Sequence, residues 1–288
     1  MPELPEVEVV RRGAEHWFSG RTIAAVSVGN ERAIRRHEPG ESDFVGQLIG
    51  TTITGTARRG KYFWFTLDSG SVLVVHLGMS GQLRVHQASD SINTHLRVRI
   101  AFDDQRDELW FIDQRTFGGM FVDEVLEPSG VPQRLAHIAV DPLAEDFDAA
   151  ATVRRMRTRN SPVKAVILDQ SVVSGIGNIY ADESLWRARL HWQRLASDIP
   201  ATRLRELLDH SRDVMTEALA VGGTSFDSLY VNVNGSSGYF SRSLAAYGRE
   251  GEPCPRCGTP LVREQFANRS SFRCPRCQRP ARRTRDTG

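Results

Sequence analysis

With 288 residues, 40% of them hydrophobic and 25% charged, the chain is long enough for two modest domains that each bury a core. No apolar run reaches the length of a membrane span and the acidic N-terminus is unlike a signal peptide, so a cytoplasmic protein is expected. The net charge of +2 hides an uneven distribution: residues 1–150 hold 15 Lys/Arg and 22 Asp/Glu, whereas residues 151–288 hold 22 Lys/Arg and 13 Asp/Glu. The second half is therefore basic. A basic half fits either a phosphate-backbone binder or a merely solvated basic surface.

The first stretch of interest is the N-terminus, Met1 to Glu8. Removal of Met1 would expose the secondary amine of Pro2 beside the carboxyl group of Glu3. Such an amine can add to a sugar carbon and form an iminium ion, while the carboxyl group moves protons. The same residues also fit an ordinary helix start, with an early proline and acidic side chains at the positive end of the helix dipole.

Apolar residues at helical spacing then predict one helix that ends near Gly20. From residue 21 to about 123, short β-branched and aromatic runs between turn residues predict a β-sandwich or a barrel-like pair of sheets. The predicted strands are Thr22–Val28, Thr51–Thr56, Tyr62–Leu67, Val72–Leu77, Gln82–Val85, Leu96–Phe102 and Glu108–Ile112.

Three places in this β region are candidates for function. Lys61 precedes an aromatic strand and can snorkel, contact a phosphate or transfer a proton. Met79 lies between glycines in His-Leu-Gly-Met-Ser-Gly, and Arg115 and Phe117 precede a glycine pair. Such side chains at loop tips can wedge into a base stack, although each taken alone is more often a packing residue.

The second half reads as helical and basic. Residues 126–150, rich in Pro, Asp and Glu, are predicted to be a linker, and short helices are predicted over Val153–Thr158 and Val163–Leu168. A turn, Gly-Ile-Gly, then leads into a helix at Asn178, where backbone N–H groups suit a phosphate oxygen or the glycines simply allow close packing. A further helix over Thr202–Val221 precedes a long polar loop, residues 224–240.

The C-terminal region contains all four cysteines, as two Cys-x-x-Cys pairs separated by sixteen residues. Four thiolates at this spacing predict a closed, structural zinc site, and two disulfides are the alternative that a reducing cytoplasm disfavours. The predicted ligands are Cys254, Cys257, Cys274 and Cys277, with an arginine-bearing hairpin between the pairs.

Taken together, these motifs resemble those of bacterial formamidopyrimidine-DNA glycosylases of the Fpg/Nei family, from end to end. The resemblance implies an α+β fold: an N-terminal helix on a two-sheet β-sandwich, then a helix–two-turn–helix domain and a zinc-finger β-hairpin. It implies a catalytic domain over residues 1–125, a linker over 126–150, a DNA-binding domain with a lesion-recognition loop over 151–240, and a zinc finger over 241–288.

The same resemblance assigns roles to individual residues. Pro2 would attack the sugar, Glu3 would protonate it, and Glu6 would be a further acid of the pocket. Lys61 would donate a proton during β-elimination, and Arg269 would assist the later δ-elimination and clamp a phosphate. The implied DNA contacts are His76, Met79, His95, Arg115, Phe117, Arg159, Lys164 and Asn178.

The implied activity is a bifunctional glycosylase and abasic-site lyase for oxidised purines in double-stranded DNA. We further expect a monomer with one structural zinc ion, in the cytoplasm at the nucleoid. Thr116 departs from the arginine expected there in the family, which removes a cation near the DNA. The alternatives are an endonuclease VIII-like enzyme for oxidised pyrimidines and a noncatalytic damaged-DNA-binding protein.

Overall fold

The computed structural model describes residues 2–223 and 243–280. These residues form two compact units, one of residues 2–137 with 218–223 and one of residues 138–217 with 243–280. No helix in the described ranges is both long and apolar enough to span a bilayer. The predicted α+β class is confirmed, and the two units are described in turn.

The first unit contains the predicted N-terminal helix and a sandwich of two antiparallel four-stranded sheets. The helices are α1 (Leu4–Phe18) and α2 (Glu41–Leu48). In sequence order the strands are β1 (Ile23–Val28), β2 (Ile53–Arg59), β3 (Tyr62–Leu67), β4 (Val72–His76), β5 (Gly81–His86), β6 (Leu96–Phe102), β7 (Glu108–Asp113) and β8 (Gly119–Asp123). One sheet has the order β1-β6-β7-β5 and the other has the order β2-β3-β4-β8.

Aromatic residues fix the position of α1 on the sandwich. Phe63 and Phe65 lie two residues apart on β3 and therefore share one face, where both are fully buried. Phe18, at the end of α1, packs edge-on against Phe65 and stacks on Phe102 of β6 at 5.4 Å. One helical residue thus contacts both sheets, and burying each such ring contributes about 1.5–3 kcal/mol.

One helix and three strands of this unit were not predicted. The helix α2 buries only Phe44 and Leu48, four residues apart, so its apolar pattern spans a single turn. The strand β8 begins at Gly119, the second glycine of a pair, and the sequence predicts no strand there. Its omission matters because β8 completes the second sheet by pairing with β4. Two short strands, β9 (Val125–Leu126) and β10 (Val131–Pro132), pair with each other in the region predicted as a linker.

The second unit consists of helices followed by a β-hairpin. The helices are α3 (Ala149–Arg157), α4 (Val163–Leu168), α5 (Asn178–Arg187) and α6 (Ala201–Ala220). As predicted, α5 begins directly after the Gly-Ile-Gly turn. The hairpin of β11 (Val262–Phe266) and β12 (Arg269–Arg273) lies between the two cysteine pairs, and Ala267 and Asn268 form its turn.

Candidate functional site

The start of α1 holds the predicted nucleophile and acids in a buried setting. Pro2 is buried, and Glu3 is the N-cap residue, with only 3% of its surface exposed. The Glu3 carboxylate accepts from the backbone N–H of Glu6, while the Glu6 carboxylate accepts from the backbone N–H of Glu3 at 2.9 Å. This reciprocal capping box fixes both carboxyl groups next to Pro2.

The carboxyl group of Glu6 also borders a second segment of the same unit. Gly223 adopts a φ of +87°, and a Cβ atom there would lie 3.1 Å from Glu6 Oε1. The backbone at Gly223 therefore approaches the start of α1 closely, as only glycine permits. The predicted lesion-recognition loop, residues 224–239, begins at the next residue and lies outside the described residues.

A charged cluster connects α1 to the turn that carries Lys61. Glu8 accepts hydrogen bonds from Arg11, Arg12 and Arg58. Burial opposes ionisation of Glu8, but the arginine hydrogen bonds and charges outweigh it and lower its pKa to about 2. Arg58 also donates to the Gly60 carbonyl at 3.1 Å, so the cluster fixes the β2–β3 turn relative to α1.

Lys61 lies in that two-residue turn rather than within a strand. Gly60, the first turn residue, has a φ of +58°, which glycine adopts without strain, and Arg59 pairs with Tyr62 across the turn. Lys61 itself is 7% exposed. Because α1 packs against β2 and β3, the predicted proton donor and the predicted nucleophile belong to one packed assembly.

His76 lies beside Lys61 as an uncharged side chain. Its ring stacks on Tyr62 at 4.4 Å, and its Nδ1 atom is buried with no hydrogen-bond partner among the described residues. Burial, followed by the charges of Arg36, Lys61 and Arg35, lowers the pKa of His76 to about 3. His76 can therefore offer a neutral hydrogen-bonding ring, not a cation, at neutral pH.

The three predicted wedge residues lie on two adjacent loops of the first unit. Arg115 and Phe117 are exposed, and the Arg115 guanidinium lies over the Phe117 ring, 4.7 Å from its centroid. Met79 is half-buried on the loop between β4 and β5. An exposed aromatic ring next to an exposed guanidinium is suited to contact a base and its phosphate.

His95 and Thr116 are less exposed than Arg115 and Phe117. His95 is half-buried, with its Nδ1 3.4 Å from an Arg97 nitrogen. Thr116, where the family resemblance predicts an arginine, is buried and has a φ of +52°. The threonine side chain, which is shorter than arginine, is buried in the loop and presents no charge to solvent.

In the second unit, Asn178 begins α5 and contacts the finger hairpin. Its Nδ2 donates to the Ser270 carbonyl at 2.9 Å, while its buried Oδ1 has no partner among the described residues. Arg269, the residue before Ser270, is exposed at the start of β12, and Arg159, after α3, is also exposed. These two arginines have the accessibility that phosphate contacts require.

Lys164 differs from its predicted role as a direct DNA contact. Its side chain is fully buried, and Nζ pairs with Asp182 Oδ1 at 2.6 Å. The ammonium group also donates to the Ser270 carbonyl at 3.3 Å and lies 4.9 Å from the centre of the Phe266 ring. The structure corrects the prediction: Lys164 supports the hairpin next to Arg269 from inside the unit.

The four cysteines meet as a ligand cluster. Their Sγ atoms all lie within 4.8 Å of one another, and Cys257 Sγ is 3.5 Å from the sulfurs of Cys274 and Cys277. Tetrahedral Zn²⁺ with Zn–S bonds of about 2.3 Å places its sulfurs about 3.8 Å apart, so the donor set fits. With four thiolates there is no open position, and the predicted structural zinc site is confirmed.

Several supporting residues were missed from the sequence. Glu183 is buried, and its carboxylate accepts from the backbone N–H groups of Ala245, Ala246 and Tyr247, which anchors the chain shortly before the zinc finger. Asp113 was not singled out from the sequence either, yet its carboxylate accepts several backbone N–H groups of the following loop. Single acidic residues carry no sequence signal for this anchoring role, because their burial depends on the fold.

Known protein families match both units of this chain. The formamidopyrimidine-DNA glycosylase N-terminal domain matches residues 1–120, the H2TH domain of the same enzymes matches residues 138–229, and a zinc finger found in FPG and IleRS matches residues 251–280. A Mycolicibacterium gilvum formamidopyrimidine-DNA glycosylase is 59% identical over 280 residues, 96% of this chain and 98% of that protein. A Rhodococcus opacus formamidopyrimidine-DNA glycosylase is 56% identical over 99% of both chains.

Solved structures agree in fold. MutM in complex with DNA containing carbocyclic 8-oxo-G gives a TM-score of 0.85 at 30% identity, covering 97% of this chain and 100% of that one. Lactococcus lactis Fpg in complex with DNA containing an abasic site gives 0.84 at 29% identity, covering 96% and 100%. The sandwich, the helical domain and the four-cysteine hairpin define a DNA-repair glycosylase of the zinc-finger class. More specifically, the chain belongs to the formamidopyrimidine-DNA glycosylase family.

Proposed function

We propose that this protein excises oxidised purines, such as 8-oxoguanine and formamidopyrimidines, from double-stranded DNA and then cleaves the strand at the resulting abasic site. The observation that carries the proposal is the buried Pro2-Glu3 start of α1, with Glu6 closing the capping box. The family's named relatives act on formamidopyrimidine lesions, and the solved neighbours hold lesion-containing DNA. The proposal requires that Met1 be removed.

In the proposed reaction the secondary amine of Pro2 attacks C1′ of the damaged nucleotide. The glycosidic bond breaks, the base leaves, and the Glu3 carboxyl group protonates the ring oxygen as the sugar opens. The product is an iminium ion that joins Pro2 to C1′. Its positive charge acidifies the C2′ hydrogen, so loss of that proton expels the 3′ phosphate, and a second elimination expels the 5′ phosphate.

Lys61 and Arg269 are proposed to serve these later steps. Lys61 is placed by the Arg58–Glu8 cluster, which orients the turn between β2 and β3. Arg269 is exposed on a hairpin whose neighbouring carbonyl, that of Ser270, is held by Asn178 and Lys164. We propose that Arg269 clamps a phosphate, because an exposed guanidinium on a fixed hairpin matches phosphate oxygens in geometry and charge.

The damaged base is proposed to leave the duplex before reaction, which costs a few kcal/mol of unstacking. Met79, Arg115 and Phe117 are proposed to fill the space that it vacates. His76, His95, Arg159 and Asn178 are proposed as further DNA contacts. We also propose that the protein acts as a monomer on chromosomal DNA in the cytoplasm.

Borohydride trapping tests the central step. The untagged protein is incubated with a duplex that contains 8-oxoguanine opposite cytosine, reduced, and digested for mass mapping of the crosslink. A crosslink at Pro2 is the expected result. A protein with a retained N-terminal Gly-Ser extension, in which the Pro2 nitrogen is an amide, should bind the duplex without forming the crosslink.

Two further measurements separate the alternatives. Glu3→Gln should lose base excision yet still trap on an abasic duplex, because an abasic sugar already opens to the aldehyde without acid assistance. Faster excision of thymine glycol than of 8-oxoguanine would instead establish an endonuclease VIII-like specificity. Binding without any crosslink on these three substrates would establish a noncatalytic binder.

A further inference from the structure

Asp113, the last residue of β7, holds the loop that carries Arg115 and Phe117 through hydrogen bonds. Its side chain is completely buried. Oδ1 accepts from the backbone N–H groups of Arg115 at 3.1 Å and Thr116 at 3.0 Å, and Oδ2 accepts from the N–H of Gly118 at 2.8 Å. The carboxylate therefore sets the backbone on both sides of Phe117.

The same residue is bonded to two other segments. The hydroxyl of Ser80, the neighbour of Met79, donates to Asp113 Oδ1. The backbone N–H of Asp113 donates to the His95 carbonyl at 2.9 Å, and its own carbonyl accepts from Arg97 Nε at 2.8 Å. Three segments with proposed DNA contacts thus converge on one buried residue.

Arg35 fixes the opposite side of the Phe117 loop. Its guanidinium donates to the carbonyls of Gly118 at 2.8 Å and Phe117 at 2.9 Å, and to that of Thr116 at 3.4 Å. The loop's N–H groups therefore face a carboxylate while its carbonyls face a guanidinium. This bonding holds Thr116 at a φ of +52°, a left-handed conformation that non-glycine residues rarely adopt.

The two wedge loops also touch backbone to backbone. A Cβ atom at Gly78 would lie 2.4 Å from the Gly118 nitrogen, and one at Gly118 would lie 2.7 Å from the carbonyl oxygens of His76 and Leu77. At these distances the two loop backbones lie close together, with no room for a side chain at Gly78 or Gly118. Neither loop can move toward the other.

We propose that Asp113 is a positioning residue that, together with Ser80 and Arg35, makes the Met79 loop and the Arg115–Phe117 loop a single rigid wedge. This inference rests on the proposed insertion of these side chains into a DNA base stack. Preorganisation reduces the entropy lost when exposed side chains become ordered on binding. Loss of the Asp113 carboxylate should weaken base displacement and leave the chemistry of Pro2 on an already exposed sugar intact.

Fluorescence of 2-aminopurine tests the wedge without any reaction. The probe is a duplex with 2-aminopurine opposite a tetrahydrofuran abasic analogue, which Pro2 cannot process. Wild-type protein should raise the emission as the orphaned base unstacks. Asp113→Asn, whose amide cannot accept the same set of N–H groups, should lose most of this rise and bind about tenfold more weakly. Ser80→Ala should show a smaller loss of the same kind.

Glu108→Gln is the matched control, because Glu108 is a buried carboxylate at the other end of β7 and bonds Arg99 and Trp110 instead of the wedge loops. It should lower the melting temperature yet keep the wild-type emission rise. Equal losses in Asp113→Asn and Glu108→Gln, or a full rise in both Asp113→Asn and Ser80→Ala, would overturn the inference.

A second assay separates this inference from the proposed chemistry. Trapping on a single-stranded abasic oligonucleotide needs no base displacement, so Asp113→Asn should trap within about twofold of wild type. A wild-type protein that raises the emission but forms no crosslink with DNA would overturn the proposed Pro2 chemistry without contradicting the rigid wedge. A wild-type protein that gives no emission rise overturns the wedge.

Discussion

Lys164 and Asp182 form an ion pair in the interior that supports a surface residue. Asp182 accepts from Lys164, from the Ser271 hydroxyl and from the Phe272 N–H, so the pair connects helices α4 and α5 to strand β12. Burial raises the pKa of Asp182 to about 6 despite the lysine beside it. The charges are costly to bury, which makes the intact pair essential once the hairpin is built on it.

Replacing Lys164 with methionine should therefore destabilise the second unit by about 3–5 kcal/mol, because an unpaired buried carboxylate remains. Urea unfolding followed by intrinsic fluorescence measures the loss. The double variant Lys164→Met/Asp182→Asn should lose less than the sum of the two single variants. Additive losses would show that the two charges do not depend on each other.

A second prediction concerns His76 and the pH dependence of the free energy of unfolding. Since its pKa in the folded protein is about 3 and the ordinary value is 6.5, the unfolded chain takes up a proton that the folded one does not. Its contribution to stability is complete above pH about 6.5 and declines as the pH falls towards 3. Unfolding free energies of wild type and His76→Gln, measured across this range, should converge as the pH falls, and a constant difference would contradict the neutral ring.

Sequence reasoning worked at single residues where spacing carries the chemistry, as for the four cysteines. It placed Lys164 wrongly because a lysine in a basic region looks the same whether its ammonium faces DNA or a buried aspartate. The anchoring role of Asp113 was also invisible. Its partners are main-chain N–H groups, which every sequence supplies.

Among the structural elements, the close contact between the β4–β5 loop and the β7–β8 loop is the feature that most constrains function. Most strands and helices could be predicted from their apolar periods, and their ends differ by only a few residues. The strand β8 was missed because Gly118 and Gly119 resemble a loop, although they are glycines owing to the close approach of His76, Leu77 and Ala33. The reason that such a position must be glycine lies in a distant part of the chain.

Gly78→Ala should consequently be far more harmful than an alanine at another positive-φ glycine. Gly70 is the matched control, since its φ is +86° and no atom lies within 4 Å of a Cβ placed there. Gly70→Ala should cost about 1–2 kcal/mol from backbone strain alone. Gly78→Ala should cost about 1–3 kcal/mol more from overpacking and reduce the 2-aminopurine signal, and equal effects of the two substitutions would refute the loop contact.

For the whole molecule, the sequence divides into an acidic half, residues 1–150, and a basic half, residues 151–288, and the basic half favours a phosphate-backbone binder. The composition could not predict how the zinc finger is stabilised. Within residues 243–280, the described part of the finger, the buried apolar cluster comprises Cys254, Leu261 and Cys274, with Trp186 packed against it. So small a cluster is unlike the sandwich core, which the chain builds from more than twenty buried side chains.

Removing zinc should therefore unfold the finger while the sandwich stays folded, because the metal supplies most of the finger's folding energy. Hydrogen exchange after treatment with a chelator should show lost protection in β11 and β12 and retained protection in β3 and β4. Trapping on the damaged duplex should fall together with the finger. Protected β11 and β12 amides in metal-free protein would show that the hairpin folds without its ion.

Trp186 occupies an unusual position at this metal centre. Its indole Nε1 lies 3.5 Å from Cys254 Sγ, and the Arg256 guanidinium stacks over its ring at 4.1 Å. A thiolate and a guanidinium both perturb the excited state of an indole, and the metal sets the charge of the thiolate. Binding of zinc to the finger should therefore change the emission of Trp186, and comparison with a Trp186→Phe variant would separate this change from the emission of the other four tryptophans.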